Sequence, residues 1–134
     1  MKSKITICFV GILMLCSCSN DKVNFLNYIE SQFGGQASLI KSYKYIVLIL
    51  RSGCYACIEQ ADSFFKKNKD DKEYLFIFTK LISEKRLRIE LGSADISLPN
   101  VIVDKNNNYY SSKYPELDYP IILESNSDGK LCLI

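Results

Sequence analysis

Histidine and tryptophan are both absent from the 134 residues, and 17 basic side chains stand against 15 acidic ones. Without histidine there is no imidazole general base, no Cys/His protease arrangement and no His-containing metal site. A net charge of +2 gives no field for gripping a phosphate backbone, so no nucleic-acid partner is expected. A composition of 48% hydrophobic and 24% charged residues excludes disorder and low-complexity fibres. The length suits one domain, since roughly 100 to 150 residues bury a proper core. What is present against this background is cysteine, six residues beside no histidine.

The first cysteines belong to an N-terminal address. Lys2 and Lys4 form a short basic region, and Ile5 to Leu15 follow without a charge. That stretch matches the about 7 to 15 residues of a signal-peptide core and falls short of the about 20 that span a bilayer. The run Leu15-Cys16-Ser17-Cys18 resembles the lipobox of bacterial lipoproteins, in which a leucine and two small residues precede the lipidated cysteine. The resemblance implies cleavage after Ser17 and acylation, palmitate included, of Cys18. Cys16, with bulky Leu15 directly before it, suits that pattern less well, and a plain secretory signal is the alternative. Removing Lys2 and Lys4 brings the 17 basic residues level with the 15 acidic ones. A neutral mature chain has no polybasic patch, so its membrane partner would be reached through the lipid on Cys18. Export permits disulfides. Ser19, in place of an aspartate after Cys18, mildly favours the outer over the inner membrane of the cell envelope.

The organisation expected is a leader over residues 1–17, a lipidated tether over 18–35 and a domain over 36–134. Asn24 to Phe33, with Phe25, Leu26, Ile29 and Phe33 at helical spacing and Gly34-Gly35 as a stop, is either a short amphipathic helix or the arm leading into the domain. Tyr45 to Leu50 (YIVLIL) and Tyr74 to Thr79 (YLFIFT) are continuous apolar runs, the pattern of buried strands. Between them, Ile58, Ala61, Phe64 and Phe65 lie at helical spacing behind Cys57. Ser83 caps a second helix carrying Leu87 and Leu91, with Gly92 as its stop. Asn100 to Asp104 predicts a third strand and Ile121 to Glu124 a fourth. Asp128-Gly129 predicts a hairpin turn, and Lys130 to Ile134 a fifth strand. Strand, helix, strand, helix, strand and a terminal hairpin make an α/β fold with a mixed central sheet flanked by helices.

Cys54 and Cys57 stand where the first buried strand passes into a helix. Residues i and i+3 share a helix face, so the two sulfurs can meet and close a small disulfide. At a helix N-terminus the unpaired amides and the dipole stabilise a thiolate, which makes Cys54 the nucleophile. Cys57, one turn in, is placed to resolve a mixed disulfide. A zinc knuckle would need four ligands, and only Cys18 and Cys132 remain to supply them, so no metal is expected. An inert local disulfide is the remaining alternative. Among neighbouring residues, Glu59 suits an exposed helix-start acid better than a proton relay, and Arg51 suits a solvated loop better than a thiolate partner. Cys132, among Leu131, Leu133 and Ile134, is expected as a small buried hydrophobe, with a second redox partner as the alternative. The lysines from Lys66 to Lys72, interleaved with Asp70, Asp71 and Glu73, make a solvated turn.

The segment YIVLILRSGCYACIEQADSFF resembles the active-site segment of the thioredoxin superfamily. The stretch LPNVIVDKNNNYYSSKYPELDYPIILESNSDGKLCLI resembles its membrane-anchored TlpA/ResA-type branch. The resemblance spans about residues 36 to 134. It implies a thioredoxin-like fold, attack by Cys54, resolution by Cys57, and substrate docking against a cis-proline at Pro120 with its neighbour Tyr119. Pro99, which also precedes an apolar run, competes with Pro120 for that role. Gly53 stands where the family usually has tryptophan before the first cysteine, and Leu48 where thioredoxin has a buried acid. The chain also stops at Ile134 without the family's terminal helix, so either the Asn24 to Phe33 segment covers that sheet face or the fold is shortened. The function implied is a lipid-anchored thiol-disulfide oxidoreductase acting on protein thiols or disulfides of the bacterial cell envelope and periplasm, without a cofactor. A second class is a non-catalytic thioredoxin-like lipoprotein, a binding or assembly module whose disulfide is structural.

Overall fold

The YIVLIL run is the central strand β1 (Tyr45–Leu50) of a five-stranded sheet in the computed structural model, which describes residues 20–114 and 120–134. Cys18 and Tyr119 lie outside the described residues. β1 pairs in parallel with β2 (Tyr74–Thr79), and β2 with β3 (Val101–Val103). On its other side β1 pairs antiparallel with β4 (Ile121–Ser125), which turns back into β5 (Leu131–Leu133), giving the order β3-β2-β1-β4-β5. The fold is thus α/β with a mixed sheet, as the apolar runs predicted. The hairpin turn is built by Asn126, whose side-chain oxygen accepts from the backbone N–H groups of Asp128 and Lys130, while Gly129 takes φ of 78°.

Parallel neighbours need crossovers, and helices supply them. α3 (Tyr55–Asn68) joins β1 to β2, and α4 (Glu84–Leu91) with the single turn α5 (Ser93–Ile96) joins β2 to β3. These helices cover one sheet face, packing Ala61, Phe65, Leu87, Leu91 and Ile96 on Val47, Ile49, Phe76 and Phe78. Ser83 caps α4 by accepting from the Arg86 N–H at 3.1 Å, and Gly92 ends it with φ of 94°. Both expected signals hold. The short α2 (Ala37–Ser42) and α5 have too few turns for an apolar period, which is why the pattern missed them.

The other face carries Ile46, Leu48, Leu50, Leu75 and Ile77, because side chains alternate along a strand. It is covered by α1 (Asn20–Phe33), which buries Phe25, Ile29 and Phe33, assisted by Ile40 of α2. The N-terminal helix thus covers that face, one of the two alternatives expected. Of the alternatives for Asn24 to Phe33, the amphipathic helix is the one observed, beginning at Asn20 and packed into the core. Residues 25, 29 and 33 recur every four positions and make one apolar stripe, which water excludes onto the sheet. Tyr28 donates to the Asn108 carbonyl oxygen at 2.6 Å, and Glu30 accepts from the Leu131 N–H at 2.8 Å. α1 is therefore fastened to both ends of the C-terminal third.

Ile29 is wholly buried and Val23, on the same helix, is exposed. Ile29→Ala should lower the unfolding free energy by about 3 kcal/mol, and Val23→Ala should change it by less than about 0.5 kcal/mol. Urea denaturation checks this, and equal small effects would remove α1 from the core.

Candidate active site

β1 is buried along nearly its whole length and emerges into Arg51-Ser52-Gly53 at the end where α3 begins. Gly53 has φ of 131°, a conformation side chains rarely adopt, and this accounts for glycine where a bulky residue was the comparison. Cys54 is the N-cap of α3, with extended backbone angles of −60° and 120°. Its sulfur accepts from the Cys57 N–H at 3.3 Å, and its carbonyl accepts from the Ile58 N–H at 3.1 Å. A thiolate here does what a Ser or Asp side chain does at an ordinary cap, satisfying an orphan donor of the first turn.

The Cys54 thiol is pulled below its ordinary value. The largest cause is the side-chain hydrogen bond from Cys57, followed by the Cys57 backbone N–H, with the Ala56 N–H adding to it. Cys54 is exposed and Cys57 is half-buried. The sulfur whose pKa is lowered is thus the accessible one, and Cys57 sits one turn behind it in contact. Chemically, the pair can attack a disulfide and then close on itself.

The sheet register places the two prolines at opposite ends of the sheet. Ile121 pairs with Leu48, so Pro120 stands level with the end of β1, at the sheet end where Cys54 lies. Pro99 precedes Val101, which pairs with Phe76 near the start of β2, so it lies at the opposite end. Cys132 pairs with Glu124, and Glu124 with Tyr45 at the start of β1, again away from Cys54. Cys132 is also exposed, which overturns its expected burial. Along the edge strand β5, Leu131 and Leu133 turn to the α1 side, and strand alternation sends Cys132 to the other. Glu59 is exposed, as expected.

Arg51 is the second correction. It is buried, with a side chain 5% exposed, and its guanidinium bonds Asp62 of α3 and Glu90 of α4. Glu90, which also accepts from Arg86 at 2.6 Å, is held below the usual carboxylate range, with the Arg86 hydrogen bond the largest cause. Burial pushes Asp62 up, and Arg51 offsets only part of that. Beside this network a cleft of about 220 Å³ opens between α3 and α4, with Tyr55, Ile58 and Glu59 on its α3 wall. The sequence holds no signal for the Arg51–Glu90 contact, since the partners are 39 positions apart on separate elements. A second missed feature is Asp104, buried at the end of β3, which accepts from Thr79 at 2.6 Å and from the N–H groups of Asn108 and Tyr109.

Among the described residues, no group of three or more His, Cys, Asp or Glu is arranged to hold a metal ion, and no helix is long and apolar enough to cross a membrane. Compared with family models, curated proteins and solved structures, the chain matches none.

A lowered thiol titrates early. Alkylation at Cys54, followed site by site by mass spectrometry against pH, should have its midpoint below that of an unperturbed cysteine thiol in a short peptide. Cys57→Ala removes the largest cause and should move that midpoint upward. A midpoint that does not move would leave the backbone amides as the whole cause.

Proposed function

We propose that the protein is a thiol-disulfide oxidoreductase with a thioredoxin-like fold, lipid-anchored in the bacterial cell envelope. The observation that carries the exchange chemistry is Cys54 as the exposed N-cap of α3, in hydrogen-bond contact with Cys57 and depressed in pKa by it. The parallel β1-α3-β2 unit, the antiparallel β4–β5 hairpin and Pro120 at the head of β4 support the finer fold assignment. An inert structural disulfide has no use for an exposed, acidified sulfur, and this favours the enzyme over the binding module.

In the reducing direction, the Cys54 thiolate attacks one sulfur of a substrate disulfide. A mixed disulfide forms and the first substrate thiolate leaves. Deprotonated Cys57 then attacks the Cys54 sulfur and expels the second substrate thiolate. The substrate gains two electrons as a dithiol, and Cys54–Cys57 becomes the disulfide that an external dithiol reductant reopens. Oxidation of a substrate runs through the same intermediate in reverse. The electrons travel on sulfur throughout, so no cofactor enters. Pro120 would present backbone to the substrate strand next to Cys54.

The anchor rests on the Leu15-Cys16-Ser17-Cys18 run. Cys18 stands two residues before α1, so acylation there would hold the domain directly at the bilayer surface.

Cys57→Ala cannot resolve the intermediate and should accumulate mixed disulfides with envelope proteins, seen as reducible adducts on non-reducing gels. No adducts, together with no catalysis of thiol-disulfide exchange by the purified protein, would sink the enzyme. Labelled palmitate should enter the wild-type chain and not Cys18→Ala; equal labelling of both would rule out Cys18 as the anchor.

A further inference from the structure

The cleft beside Cys54 has a composition that exchange chemistry alone does not call for. Tyr55, Ile58, Glu59 and Asp62 follow Cys54 at helical spacing and form one wall along α3. Arg86 and Glu90 of α4 face them, and Arg51 lies between. At about 220 Å³ the space suits a single long side chain, smaller than the roughly 300 to 1,000 Å³ of cofactor sites.

Its charges do not cancel. Three carboxylates (Glu59, Asp62 and Glu90) meet two guanidiniums (Arg51 and Arg86) across the lining. Both guanidiniums are engaged, Arg51 with Asp62 and Glu90, and Arg86 with Glu90. Glu59 is exposed and outside these ion pairs, so the surplus negative charge of the lining is open to solvent. Tyr55 is 80% exposed, an aromatic ring left in water directly after the reactive cysteine.

We propose that this cleft reads a cationic side chain of the substrate, a lysine or arginine two residues from the cysteine that Cys54 attacks. The proposal rests on the exchange function above and adds the substrate class. An aliphatic stem lies along Tyr55 and Ile58 while its charged head reaches Glu59, with the Tyr55 ring available as a cation–π face. Glu59 lies five positions from Cys54, about 7.5 Å along the axis of α3 and about 140° around it, so a long side-chain stem must cover the turn. An extended substrate covers about 7 Å in two residues and returns its side chain to the same side.

The test uses three short disulfide peptides, identical except for Lys, Gln or Glu two residues from the attacked cysteine. Dithiothreitol serves as the regenerating dithiol, with hydroxyethyl disulfide as a small substrate without side chains. Wild type should favour Lys over Glu by about tenfold in kcat/KM at low salt, with Gln between, and the ratio should shrink as salt rises. Glu59→Gln should flatten the ratio and Glu59→Lys should invert it. Equal values for the three peptides, or a preference for Glu, with hydroxyethyl disulfide still turned over, overturns the cleft reading alone. If hydroxyethyl disulfide is not turned over either, the exchange function fails and the cleft reading goes with it.

Discussion

Burial of β1 on both faces and both edges is the constraint on which the rest depends. Its inner residues lie under α1 on one side and α3 on the other, while β2 and β4 take up its backbone groups. A strand with no free face or edge can carry polar chemistry only at its ends. Because β2 runs parallel to it, the chain must leave β1 and cross the sheet before pairing again, and a helix is the compact way to do so. The N-terminus of that helix is therefore delivered to the end of β1, with its orphan amides turned outward. The capping position follows from the topology, and Cys54 occupies it.

The same sheet end gathers three of the four buried polar residues among those described. Arg51 follows β1, Thr79 closes β2 and Asp104 follows β3, all three buried. Each is satisfied by partners on other elements: Arg51 by Asp62 and Glu90, and Thr79 by Asp104, which also orders the turn through Asn108 and Tyr109. Among the described residues no buried side-chain polar atom lacks a hydrogen-bond partner. An unpaired group in that position would cost about 1–3 kcal/mol, so this network holds the loops around Cys54 in one arrangement. At the opposite sheet end the partly exposed Tyr45 and Tyr74 stack at 5.0 Å, and buried Asn100 donates to the Lys69 and Tyr74 carbonyl oxygens.

Much of this was legible locally. β1 and β2 were bounded correctly because continuous apolar runs between polar residues have few alternatives, and Ser83 and Gly92 marked α4 by cap chemistry. Cys54 and Cys57 were legible for the same reason, since their spacing and their place at a strand-to-helix junction are both local. What misled were residues whose environment comes from elsewhere. Arg51 looks like a solvated loop cation until α3 and α4 bring Asp62 and Glu90 to it. Cys132 looks like core among three apolar neighbours, but alternation on an edge strand turns it outward. Asn24 to Phe33 reads equally as a helix or an arm until the sheet face that Phe25, Ile29 and Phe33 cover is seen.

The sequence by itself determined the α/β class, the strands, the thiol pair and the absence of any imidazole chemistry, because each is set by residue type and short-range spacing. Tertiary structure alone decided which helix covers the second face, which proline lies at the sheet end of the thiols, and that a charged cleft opens between α3 and α4. Each of these depends on register and on contacts between residues tens of positions apart. Burial energy chooses among such contacts only when the whole sheet assembles, and no local pattern records that choice.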